Sequence, residues 1–120
     1  MRHALIALVQ DHPGVLNRVV SLFRRRGYNI ESLAVGASEV PGLSRMTIVV
    51  DVRDVDLVVK QFSRLIEVVT VRHVSETRTV VRETALVKVV TPEARRHEVQ
   101  TIAARAGARE LDASDATMLL

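Results

Sequence analysis

The chain of 120 residues contains no cysteine and no tryptophan, and its aromatic side chains are limited to Phe23, Tyr28 and Phe62. The lack of cysteine excludes disulfides, thiolate nucleophiles and cysteine-based zinc sites. Three aromatics are too few to stack nucleic-acid bases. The net charge of +3 therefore does not point to nucleic acid. The one basic cluster, Arg24-Arg25-Arg26, falls where a helix should end, and positive charge there complements the helix dipole. Long apolar runs are also missing: Ala4 to Val9 and Met46 to Val50 fall far short of the roughly 20 residues a membrane span needs. The opening Met1-Arg2-His3-Ala4 leads straight into a strand-like run and leaves no room for a signal peptide. The expectation is a soluble cytoplasmic protein that binds neither nucleic acid nor membrane.

Catalytic patterns are equally scarce. His3, His12, His73 and His97 show no metal-ligand spacing. There is no Gly-x-Ser-x-Gly elbow, Walker loop or Gly-x-Gly-x-x-Gly turn. Asp51, Asp54 and Asp56 cluster around a helix start, where caps and first-turn acids belong. No catalytic site is expected in this chain.

What is present is alternation and helical periodicity. His3 to Gln10 reads as a buried strand. Asp11-His12-Pro13-Gly14 breaks it, with Asp11 or His12 placed to cap and Pro13 suited to a first helical turn. Leu16, Val19, Val20 and Phe23 then recur at helical spacing, up to Gly27. Tyr28 to Ser38 reads as a second strand, Pro41-Gly42 as a type II turn, and Arg45 to Val52 as a third strand. Asp54 is placed to cap a second helix with Val55, Val58, Val59, Phe62 and Ile66 as its stripe, and Val68 to Val74 reads as a fourth strand.

The order β-α-β-β-α-β predicts an α+β, ferredoxin-like unit: a four-stranded antiparallel sheet with two helices on one face. The other sheet face is apolar enough to expect a covering partner. Further on, Ala85-Leu86-Val87-Lys88-Val89-Val90 echoes Ala4-Leu5-Ile6-Ala7-Leu8-Val9 at an offset of 81, and Gly107 echoes Gly27 at 80. The organisation expected is a domain at 3–77, a linker at 78–83, and at 84–120 a second, incomplete module of β-α-β form. The chain stops on the apolar Met118-Leu119-Leu120 and reads as cut short within a strand.

The first loop has the features of a ligand site. Pro13-Gly14 lies where the first strand meets a helix N-terminus, whose free N–H groups suit an anion, and glycine leaves the backbone open to close approach. The Asn29 amide both donates and accepts, and an adjacent strand is expected to bring it near the loop. Val15, Leu16 and Ile30 are placed to accept an aliphatic side chain. Together these groups suit a small apolar zwitterion.

Three stretches carry a resemblance: Asp11-His12-Pro13-Gly14-Val15-Leu16, Arg25-Arg26-Gly27-Tyr28-Asn29-Ile30-Glu31-Ser32-Leu33-Ala34-Val35-Gly36, and Pro41-Gly42-Leu43-Ser44-Arg45-Met46-Thr47-Ile48-Val49-Val50. Over residues 3 to about 90 the chain strongly resembles the regulatory small subunits of acetolactate synthase (acetohydroxyacid synthase), which carry an N-terminal ACT domain and a second ACT-like domain. The resemblance implies a subunit that activates a catalytic large subunit and confers feedback inhibition by valine, leucine or isoleucine in branched-chain amino-acid biosynthesis. It implies that thiamine diphosphate, Mg and FAD sit on the catalytic subunit, with no cofactor in this chain. It also implies a homodimer through ACT domains, with the effector between them. The effector-binding residues carried over are Gly14 and Asn29, flanked by Asp11, Pro13, Val15, Leu16 and Ile30. Asp11 stands where relatives often have Asn; an ionised Asp only accepts hydrogen bonds, so it should face the effector's ammonium. Two other readings stay open at this point. One is an ACT-type sensor serving a different enzyme. The other is a small ferredoxin-like enzyme completed by a partner chain, against which the lack of paired catalytic groups argues.

Overall fold

A computed structural model describes residues 1–75 and 77–120, and their contacts divide them into two units, Met1–Val80 and Val81–Leu120. The first unit runs β1 (Arg2–Gln10), α1 (Val15–Arg25), β2 (Asn29–Ala37), β3 (Leu43–Asp51), α2 (Val55–Phe62) and β4 (Val68–His73). The strands form one antiparallel sheet in the order β2-β3-β1-β4. This is the ferredoxin-like arrangement that the element order predicts.

Strand alternation decides which face the helices cover. Leu5, Ala7 and Val9 of β1 point the same way as Met46, Ile48 and Val50 of β3, and all six are buried. Val15, Val19 and Phe23 of α1, with Val58 and Phe62 of α2, close over that face in a single core. The three aromatic side chains of the sequence meet there: Phe23 stands edge-on to Phe62 at 5.4 Å and to Tyr28 at 6.1 Å. Phe62 is fully enclosed, so Phe62→Ala should lower unfolding free energy by about 3–5 kcal/mol. Urea denaturation followed by circular dichroism checks this. A loss below about 1 kcal/mol would mean that the core closes over the gap.

The turns follow from local chemistry. The Leu43 N–H donates to the Val40 carbonyl at 3.2 Å, and Gly42 supplies the positive φ of 78° that the type II turn requires. Asp54 caps α2 by accepting from the Leu57 N–H at 2.9 Å. Two local expectations are corrected. Neither Asp11 nor His12 caps α1: the N-cap is Gly14 at φ 90°, with no side-chain cap, and the His12 ring bonds Gln10 and the Pro13 carbonyl instead. Ile66 is not part of the α2 stripe. The helix stops at Phe62, the chain turns through Ser63 to Leu65, and Ile66 is 89% exposed.

The second unit contains β5 (Lys88–Val90), a 3-10 turn at Glu93–Arg95, α3 (Arg96–Arg105), β6 (Asp112–Ala113) and β7 (Thr117–Leu119). Its sheet order is β5-β7-β6, which repeats β1-β3-β2 of the first unit. The expected β-α-β therefore gains a third strand. Ser114 accepts from the Thr117 N–H and donates its own N–H to the Thr117 carbonyl, and this folds the last ten residues into a tight hairpin. Counterparts of α2 and β4 are absent among the described residues, and the module is incomplete in that sense. The space that α2 fills in the first unit is here an apolar groove of about 420 Å³, walled by Val87, Val89, Val99, Ile102 and Leu120. No described helix is long and apolar enough to cross a membrane.

Candidate functional site

The loop between β1 and α1 is held from both sides. The Asp11 N–H donates to the Gly42 carbonyl at 2.9 Å, fixing it to the β2–β3 turn. Gly14 at φ 90° then reverses the chain into α1, a backbone that L side chains adopt only with strain. The first turn of α1 has no acidic residue and no side-chain cap. The Val15 N–H donates to the His12 carbonyl at 3.4 Å, and the Leu16 and Asn17 N–H groups of the first turn are those left to an anion, close to a residue without a Cβ. Asp11, His12, Pro13 and Gly14 are all exposed. Leu16 is exposed as well, while Val15 turns into the core at 3% exposure. Val15 therefore offers the loop only its backbone, in contrast to the expected apolar contact.

Asn29 does not join this loop within one chain. The register pairs Asn29 with Asp51, and Asp51 with Arg2, at the end of the sheet where β1 starts. Gly14 follows the end of β1, so the two sites lie at opposite ends of the sheet. Between them runs α1, eleven residues long, or about 16 Å of helix. Ile30 sits beside Asn29 at that far end, half-buried against the core. A cleft of about 570 Å³ opens at the same end, bounded by Gly27, Tyr28, Asp51 and Asp54 and by none of the loop residues. The sequence-based expectation that adjacent strands bring Asn29 to the loop is corrected, because the helix carries the chain back along the full sheet before β2 begins.

Between these two ends lies an apolar ledge. Leu16 and Val20 stand one turn apart on the outer flank of α1. Leu33 and Val35 of β2 pair with Ile48 and Met46 and so share the helix-facing side. All four are 37–44% exposed. β2 is an edge strand, its second row of backbone groups unpaired among the described residues.

Two side-chain pairs were not legible in the sequence because their members are distant in it. Arg18 pairs with Glu67, a carboxylate only 7% exposed. The β1–β4 register brings His3 to His73, with Nδ1 and Nε2 3.1 Å apart. Among the described residues, no group of three His, Asp or Glu side chains is arranged to hold a metal. On the β2–β3 turn Arg45 makes two 2.9 Å bonds to Glu39. The Glu39 carboxyl is held below the ordinary range by its own backbone N–H, then by Arg45.

A family model described as the AHAS small subunit-like ACT domain matches residues 5–70. The chain is 47% identical over 116 residues to a probable acetolactate synthase small subunit of Archaeoglobus fulgidus, covering 95% of this chain and 72% of that protein. It is 55% identical over 89 residues to the acetolactate synthase small subunit of Mycolicibacterium smegmatis, covering 72% of this chain and 52% of that one. The chain thus spans between half and three quarters of these relatives. Its fold superposes on the crystal structure of the acetolactate synthase small subunit from Thermotoga maritima with a TM-score of 0.88 at 33% identity, covering 99% of this chain and 76% of that chain.

Proposed function

We propose, from the premise that this chain belongs to the acetolactate synthase small-subunit family, that it is a regulatory subunit that binds a branched-chain amino acid, valine foremost, and passes that signal to a catalytic large subunit. The catalytic partner would be activated by association and restrained by the end product. On this reading thiamine diphosphate, Mg and FAD sit on the large subunit, and this chain contributes binding alone.

The observation that carries the reading is the separation of Gly14 from Asn29 with an exposed apolar ledge between them. A two-fold axis through the middle of that ledge reverses one protomer against the other. Leu16, Val20, Leu33 and Val35 are then covered, the β2 edges adjoin, and the Gly14 loop of each chain meets Asn29 of its partner. Each dimer has two such sites. The effector's carboxylate would face the α1 N-terminus, with Asp11 and the Asn29 oxygen accepting from its ammonium, and Leu16 and Ile30 flanking its aliphatic side chain. Ligand at the joint stabilises the dimer by linkage.

The test is titration calorimetry of the full chain with valine, leucine and isoleucine, alongside sedimentation. The expected outcome is a dimer at tens of micromolar, one effector per chain, and tighter association when effector is present. A monomer with and without valine defeats the two-chain site. Co-purification with a catalytic large subunit separates this reading from a sensor that serves another enzyme.

A further inference from the structure

We infer that the buried Glu67 carboxylate, acting through Arg18, positions the Gly14 loop and so sets effector affinity without touching the effector. This rests on the reading of the loop as the effector site. Glu67 lies just before β4, with its carbonyl accepting the Gln10 N–H at 2.8 Å and its carboxylate paired to the Arg18 Nε. Arg18, half exposed, carries its guanidinium beside the loop: Nη2 lies 3.9 Å from where a Cβ on Gly14 would stand. The β2–β3 turn holds the loop at Asp11, through Gly42, and the Arg18 guanidinium, fixed by Glu67, stands beside it at Gly14. Arg18 stands on the flank of α1 opposite Leu16 and Val20, so it supports the loop from behind and leaves the dimer side free.

The net contribution of such a pair to stability is small, because desolvation of a buried carboxylate offsets much of the attraction. What the pair supplies is a fixed guanidinium behind a loop whose shape must match a small zwitterion. A loop ordered in advance does not lose that freedom on binding, and loss of such order weakens affinity by about tenfold.

The test replaces the pair with apolar groups of similar size, Arg18→Met with Glu67→Leu, and measures L-valine affinity, melting temperature and sedimentation of the full chain. The expected result is a folded dimer, with melting temperature at or above that of the parent chain, that binds valine about tenfold more weakly. A structural role alone would move the melting temperature and leave the affinity where it was. Glu67→Gln, which keeps an acceptor but removes the charge, should fall between the two, and it decides the matter if the double variant does not fold. Parental affinity in a folded double variant, or in Glu67→Gln if the double variant fails to fold, overturns the bracing role alone. A parent chain that binds none of valine, leucine and isoleucine overturns the effector reading, and the bracing role with it.

Discussion

Gly14→Asp is expected to abolish effector binding while the protomer keeps its fold. Apart from the Arg18 guanidinium at 3.9 Å, nothing is close to a Cβ at this position, so the side chain has room. The backbone is at φ 90°, which costs a non-glycine residue about 1–2 kcal/mol, tolerable at an exposed N-cap. The charge is the larger effect. An aspartate here places a carboxylate at the α1 N-terminus, beside the position proposed for the effector's own carboxylate. Two such charges about 4 Å apart repel by roughly 4 kcal/mol at an effective dielectric of 20, or nearly three orders of magnitude in affinity. Gly14→Ala carries the backbone strain without the charge and should lose far less. Calorimetry with valine reads the affinity, and circular dichroism reads the fold. Unchanged affinity in a folded Gly14→Asp chain removes Gly14 from the site.

Much of the first unit is legible because each signal is local. β1 is legible from its apolar run, although that run does not show that Leu5, Ala7 and Val9 are buried while their neighbours stay half-exposed; Asp54 stands in a cap position and makes the cap bond, and Pro41-Gly42 encodes its turn. What the sequence does not show depends on distance along or across the sheet. Asn29 follows the loop by a single helix, and this closeness in sequence suggests closeness in space. Yet α1 runs nearly the full sheet length, so β2 begins at the opposite end. Arg18 and Glu67 are joined only by the packing of α1 against the start of β4, for which no spacing rule exists. Val15 lies beside the ligand loop in sequence but belongs to the buried stripe with Val19 and Phe23. The hairpin of β6 and β7 comprises strands of two and three residues, too short to show an alternating pattern. The local signal it does carry is the Ser114-Asp115 turn, not strand periodicity.

Mixing two defective chains should restore binding that neither has alone. If Gly14 and Asn29 of one protomer served the same site, Gly14→Asp and Asn29→Ala chains would remain inactive in any mixture. In the antiparallel arrangement each site takes its loop from one chain and its asparagine from the other. A heterodimer of the two variants then carries one site in which both residues are defective and one in which both are native. With equal amounts and free exchange, about half of the dimers are mixed, and about a quarter of all sites regain function. Asn29 is exposed at the start of β2, and Tyr28 beside it anchors that end through the Gln61 side chain at 3.2 Å. The Asn29→Ala chain should therefore fold and dimerise normally. Equilibrium dialysis with labelled valine counts the restored sites, and a dilution series that first dissociates and then reassociates the chains ensures exchange. Recovery near a quarter, with parental affinity at the restored sites, establishes a site shared between two chains. No recovery despite demonstrated exchange overturns the site shared between two chains, whereas parental valine binding by the Asn29→Ala chain alone places Asn29 outside the site.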